Sequence, residues 1–122
     1  MGIRKSTVTT EENYMNNCKN TEMLGLYVKL RNAVFGSFDN VVTAATADYI
    51  SWKIDGGRQF VNFYIQKKKI RILTVVPSGK YSIGANVPDT HLWSLNYQAD
   101  VFCKADIDEA IKIICESYNK LA

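Results

Sequence analysis

Seven basic side chains stand between Ser51 and Lys80 (Lys53, Arg58, Lys67, Lys68, Lys69, Arg71 and Lys80) against one acid, Asp55. The segment therefore carries +6 while the whole 122-residue chain is +3, so the remainder sums to −3. Localised positive charge suits an anionic partner, because Lys and Arg neutralise phosphate. The rings of Tyr49, Phe60 and Tyr64 are interleaved with these cations. Aromatic faces beside basic groups on a sheet are what single-stranded nucleic acid stacks on. The candidate nucleic-acid- or anion-binding set is Lys53, Arg58, Tyr64, Lys67, Lys68, Lys69 and Arg71. A competing reading treats the three lysines as a hairpin tip that resists edge pairing. On that reading the 77–96 segment folds over the aromatics and leaves the cations as a solvated rim.

Other chemistry is sparse. His91 is the one histidine, and as a general base it would need a carboxylate such as Asp89 or Asp100. Ser78-Gly79-Lys80 lacks the spacing of a phosphate loop. We therefore name no catalytic residue. The three cysteines, Cys18, Cys103 and Cys115, form no C-x-x-C pair, and three scattered thiols with one histidine lack zinc-ligand spacing. No metal and no cofactor is expected. Unpaired thiols fit a reducing, cytoplasmic setting, with Cys103 and Cys115 expected as small core residues. No run reaches the ~18 apolar residues of a membrane helix, and the first residues lack the apolar core of a signal peptide.

The elements that must position the basic segment follow from periodicity. Residues 1–20 are rich in Ser, Thr and Asn and read as a polar lead-in or linker, with 21–122 as a single α+β domain. A helix is predicted from Thr21, with Leu24, Tyr27, Leu30, Val34 and Phe35 at helical spacing and Gly36 as its stop. Strands follow at Val41–Ala44, Tyr49–Ile54, Phe60–Gln66, Ile70–Val76 and Tyr97–Cys103, with Asp55-Gly56-Gly57 as a hairpin signal. Ile50, Trp52, Ile54, Val61, Phe63, Ile65, Ile70 and Ile72 alternate toward one face. Tyr49, Lys53, Phe60, Asn62, Tyr64, Lys69 and Arg71 alternate toward the other. Residues 77–96 read as irregular. Asp106-x-x-Glu109 reads as a capping box ahead of a helix whose stripe is Ile107, Ala110, Ile111, Ile114, Cys115, Tyr118 and Leu121. The order α-β-β-β-β-α gives an antiparallel meander of four to five strands with its N- and C-terminal helices on one face.

Several stretches also carry a resemblance. Thr10-Glu11-Glu12 with Leu26-Tyr27-x-x-Leu30, Tyr49-Ile50-Ser51-Trp52-Lys53, Phe60-x-x-Phe63 with Gln66-Lys67-Lys68, Asp106-x-x-x-Ala110-Ile111 and Ser117-Tyr118 span residues 9–121. Together they resemble an uncharacterised small bacterial C-terminal domain, found in proteins labelled "predicted transport protein" and in restriction- and nuclease-associated proteins. The resemblance implies no catalytic residues and an accessory role near nucleic acid or a larger nuclease-type protein. The expectation is a non-enzymatic binding module, possible nucleic-acid binding included, that is monomeric or homodimeric and without a membrane partner. The alternative is a protein-interaction or dimerisation module built on Tyr49, Phe60, Tyr64 and Trp93. A third class is an enzyme acting on a small ligand near residues 77–96.

Overall fold

The computed structural model describes residues 9–75, 83–86, 95 and 97–121. In chain order these form α1 (Glu11–Asn17), α2 (Thr21–Val34), β1 (Val41–Ala45), β2 (Ile50–Ile54), β3 (Gln59–Ile65), β4 (Ile70–Thr74), β5 (Gly84–Asn86), β6 (Tyr97–Val101) and α3 (Ile107–Leu121). The strands make one antiparallel sheet ordered β1-β2-β3-β4-β6-β5. This is the expected α+β arrangement, an antiparallel sheet with the N- and C-terminal helices on one face. One strand is additional. Gly84–Asn86, inside the stretch read as irregular, extends the sheet beyond β6. Glycine is required there, because a Cβ on Gly84 would overlap the Tyr97 ring.

The Asp55-Gly56-Gly57 hairpin forms as the sequence indicates. Gly56 has φ +77°, and the Gly57 N–H donates to the Ile54 carbonyl at 2.7 Å. Immediately after it, the register slips. Trp52 pairs with Val61 but Lys53 pairs with Gln59, which leaves Phe60 as the extra residue of a β-bulge. This corrects the alternation read from the sequence. Phe60 does not share a face with Tyr64. It is fully buried with Val61 on the helix side, packed edge-on against Phe38 and Tyr118.

The bulge leaves backbone groups without ladder partners, and α3 supplies one. The buried Ser117 hydroxyl donates to the Phe60 carbonyl at 2.6 Å and accepts from the Val75 N–H at 2.9 Å. The buried line of α3 is accordingly Ile107, Ala110, Ile113, Ile114 and Ser117, with Ile111 and Cys115 only partly covered. Its two capping carboxylates act elsewhere: Asp106 accepts from the Phe102 N–H, and Glu109 accepts from the Ile83 N–H beside β5. Cys103, expected in the core, is exposed because β6 ends at Val101.

The residues read as a polar lead-in contain α1. Thr10 caps it by accepting from the Asn13 N–H. Its anchor is Glu11, buried despite its charge, because Tyr27 donates to Oε2 and Arg31 binds both carboxylate oxygens at 2.6 and 3.0 Å. The Trp52 indole N–H donates in turn to the Tyr27 hydroxyl at 3.0 Å. Burial, and then the neighbouring Glu11 carboxylate, hold the Tyr27 phenol far above its ordinary pKa. Around this chain Tyr27, Trp52, Phe63 and Phe35 pack at 4.7–6.3 Å between ring centroids. The fully buried large side chains contribute on the order of 1.5–3 kcal/mol each.

Replacing Ser117 with Ala deprives two buried backbone groups of their partner, at about 1–3 kcal/mol each. Urea denaturation of S117A is expected to show a loss of about 2–4 kcal/mol with an unchanged slope. A loss below about 0.5 kcal/mol would show that the backbone rearranges to satisfy itself.

Candidate functional site

Antiparallel register assembles one row of side chains on the face of the sheet away from the helices. Tyr64 on β3 lies opposite Arg71 on β4, and Arg71 lies opposite Asp100 on β6. Tyr49, just before β2, brings its ring to 5.1 Å from that of Tyr64. Arg71 binds Asp100 with Nε on Oδ1 at 3.0 Å and Nη2 on Oδ2 at 3.3 Å. Lys69 reaches the same Oδ2 at 3.3 Å, and its Nζ stands 5.8 Å from the centre of the Phe102 ring. Phe102 is 54% exposed. Lys67 and Lys68 project from the adjoining β3–β4 turn, which is closed by the Gln66 N–H donating to the Lys69 carbonyl at 2.9 Å.

The structure thus divides the sequence-predicted set. Tyr64, Lys67, Lys68, Lys69 and Arg71 gather at one end of the open face. Arg58 is exposed in the β2–β3 turn at the opposite end, and Lys53 lies on the same face near it, paired with Gln59. Between the two turns runs the whole of β3, seven residues or roughly 23 Å. Phe60, read with Tyr49 and Tyr64 as an aromatic of this face, leaves it because of the bulge. Sequence reasoning weighed Asp100 only as a partner for His91 and missed Phe102. Asp100 alternates with Gln98 on the polar side of β6, a weak signal, but only register shows that it faces Arg71.

The centre of the same face is less open. The Ser51 hydroxyl donates to Asn62 Oδ1 at 2.9 Å, and both residues are buried. Farther along, Leu73 and Val75 are covered by Leu95, with Tyr64 packed beside them. Tyr64 is half-buried, and desolvation, followed by the neighbouring Tyr49, raises its phenol above the ordinary value. Of the 77–96 segment, then, Leu95 covers the β4 end while Gly84–Asn86 widens the sheet.

Asp100 sets the electrostatics. Burial alone would raise its carboxyl, but the hydrogen bonds and charges of Arg71 and Lys69 outweigh that and hold it below the ordinary range. Arg71 is raised reciprocally by the hydrogen bond to Asp100. One carboxylate thus balances part of a cluster containing Lys67, Lys68, Lys69 and Arg71, which remains net positive. Ser78, Gly79, Lys80, Asp89, His91 and Trp93, weighed for catalysis, phosphate binding or partner contact, lie outside the described residues. Among the described residues no group of three His, Cys, Asp or Glu side chains could hold a metal ion. No described helix is long and apolar enough to cross a membrane.

Comparison of the chain with protein-family models, curated proteins and solved structures returns no match.

Because the folded Asp100 carboxyl is held below its ordinary value, its contribution is complete above the ordinary carboxylate range and is lost as pH falls. The stability difference between wild type and D100N is expected to be at most about 1 kcal/mol near neutrality. Urea midpoints should show that difference vanishing between roughly pH 5 and pH 2. A difference that stays constant with pH would assign the loss to packing.

Proposed function

We propose that the protein is a non-enzymatic binding module that engages single-stranded nucleic acid at the Tyr49–Tyr64–Arg71 end of its open sheet face. One observation carries this reading. The paired Tyr49 and Tyr64 rings lie in the same row as Arg71, beside Lys69 and the exposed Lys67–Lys68 tip. Stacking surface and phosphate-neutralising charge are therefore adjacent, as strand binding without base-specific contacts requires. Lys53 and Arg58, toward the far end, would meet only a ligand that crosses the face. An accessory place beside a nuclease-type protein rests on the resemblance in the sequence alone, and a cytoplasmic setting rests on the unpaired thiols.

A second reading is favoured by Phe102, a large apolar side chain left 54% exposed beside Lys69 on the same end of the sheet. Such a residue also suits a protein partner or a second copy of the chain. Molar mass that rises with concentration, and stops rising in a Phe102→Ser variant, would support it over the first.

Fluorescence anisotropy with labelled single strands at increasing salt tests the leading reading. Binding should weaken steeply with salt, and Lys67→Ala with Lys68→Ala should lower the log–log slope by about 0.7 for each phosphate no longer neutralised. Y64A should weaken binding by about 1–3 kcal/mol without changing that slope. D100N frees Arg71 and Lys69 and should tighten binding. No detectable complex at low salt would overturn the proposal.

A further inference from the structure

A cleft of about 520 Å³ opens on the helix side of the molecule, between α1, the α1–α2 connection and the β1–β2 turn. Its volume falls within the roughly 300–1,000 Å³ of small-molecule sites. The lining mixes apolar surface from Tyr14, Cys18, Ala47 and Ile65 with polar groups, whose hydrogen-bonding capacity can be assigned from chemistry. Asn17 directs its amide nitrogen at the Asn13 carbonyl at 2.9 Å, and Asn20 directs its own at the Ile65 carbonyl at 3.1 Å. A backbone carbonyl can only accept, so the nitrogen must face it in both cases, and each amide oxygen is left without a partner among the described residues. The Thr46 hydroxyl oxygen accepts from the Asp48 and Tyr49 N–H groups at 3.1 and 3.3 Å, and its own proton remains to be donated.

The rest of the cleft narrows the ligand class. Among the described residues of the lining, Lys19 and Asp48 are the charged ones, one of each sign, so neither sign dominates there. Tyr14 forms an aromatic wall whose position is held by its hydroxyl, which donates to the Asp48 carbonyl at 3.5 Å and accepts from the Ile65 N–H at 3.4 Å. Two fixed amide oxygens, a hydroxyl donor and a ring face complement a molecule with adjacent hydroxyls on one side and C–H groups on another.

We propose that this cleft binds a small neutral ligand with vicinal hydroxyls, a sugar ring, supplied either as a free glycoside or as the ribose of a nucleoside. Amide oxygens of Asn17 and Asn20 accept from the hydroxyls while the ring lies against Tyr14. The side chains that would hold this ligand differ from those of the sheet-face reading, whose Tyr49 and Tyr64 project from the other side of the sheet.

Amide-resolved NMR titrations of the full chain with a methyl glucoside, adenosine and dideoxyadenosine test it. The expected result is saturable shifts at residues 13–20 and 46–48 with one or both diol-bearing probes, and none with dideoxyadenosine. Shifts with the glucoside assign a free sugar, and shifts with adenosine assign a ribose. N17A should weaken that binding about fivefold, the effect of one neutral hydrogen bond. N20A should do the same, with a thermal melt confirming that it remains folded. Lys68→Ala, at the β3–β4 tip, should leave binding in the cleft unchanged whether or not it alters nucleic-acid binding. No saturable shift with either diol, equal binding of dideoxyadenosine, or an unaltered N17A would each overturn the proposal.

Discussion

One extra residue in β3 decides what each face of the sheet can do. Side chains along a strand alternate strictly, so a regular β3 would put Phe60 beside Asn62 and Tyr64. The bulge opposite Trp52 and Lys53 breaks the alternation at Phe60 and turns its ring inward with Val61. Phe38 and Tyr118 then gain an aromatic partner in the core, and among the described residues the outer face keeps Tyr49 and Tyr64 as paired rings. A bulge also loosens the ladder. Ser117, a polar residue on an otherwise apolar helix stripe, compensates by bonding to both β3 and the end of β4. A helix residue thus completes the sheet, and α3 cannot be shifted along its axis without unmaking that bond.

The outer face depends on a second economy. Positive charge concentrated on neighbouring strands would repel itself, and Asp100 relieves this by holding Arg71 and Lys69 together. The pair is partly exposed, so its contribution to stability is small and sensitive to salt. Its larger effect is geometric. Arg71 is held on the face next to Tyr64, and Lys69 is drawn toward the Phe102 ring. A phosphate arriving there would exchange with a carboxylate already bound in the manner a phosphate would be.

Inside, the polar chain Arg31–Glu11–Tyr27–Trp52 fixes α1 to the core. Burying Glu11 is costly in itself, and the cost is offset only because each carboxylate oxygen has a donor. The consequence reaches the cleft on the other side of α1. With Glu11 tied to α2 and Tyr14 tied to the β1–β2 turn and Ile65, the helix cannot slide, and the amides of Asn17 and Asn20 are fixed in direction.

Much of this fold is legible in local pattern. The helix from Thr21, the Gly56 turn, the alternation of β2 and β4 and the stretch from Ile107 to Leu121 each follow from periodicity and turn chemistry that neighbouring residues enforce. The Lys67–Lys69 tip, with Tyr64 and Arg71 flanking it, is also visible as a cluster of charge and aromatics. Long-range pairing decided the rest. Phe60 changes sides because of a bulge whose partner lies across a hairpin, and Arg58 separates from Lys67 because a whole strand lies between them. Asp100 meets Arg71 across 29 residues of sequence. The helix at Glu11–Asn17, short and rich in Asn, is held chiefly by a carboxylate buried against Tyr27 and Arg31, a contact no local pattern reveals. The sequence by itself determined α2, α3, the strands β1 to β4 and β6, and where the charge is concentrated, since those depend on neighbours along the chain. Only the tertiary structure decided which of those charges converge, because convergence depends on register between strands remote in sequence.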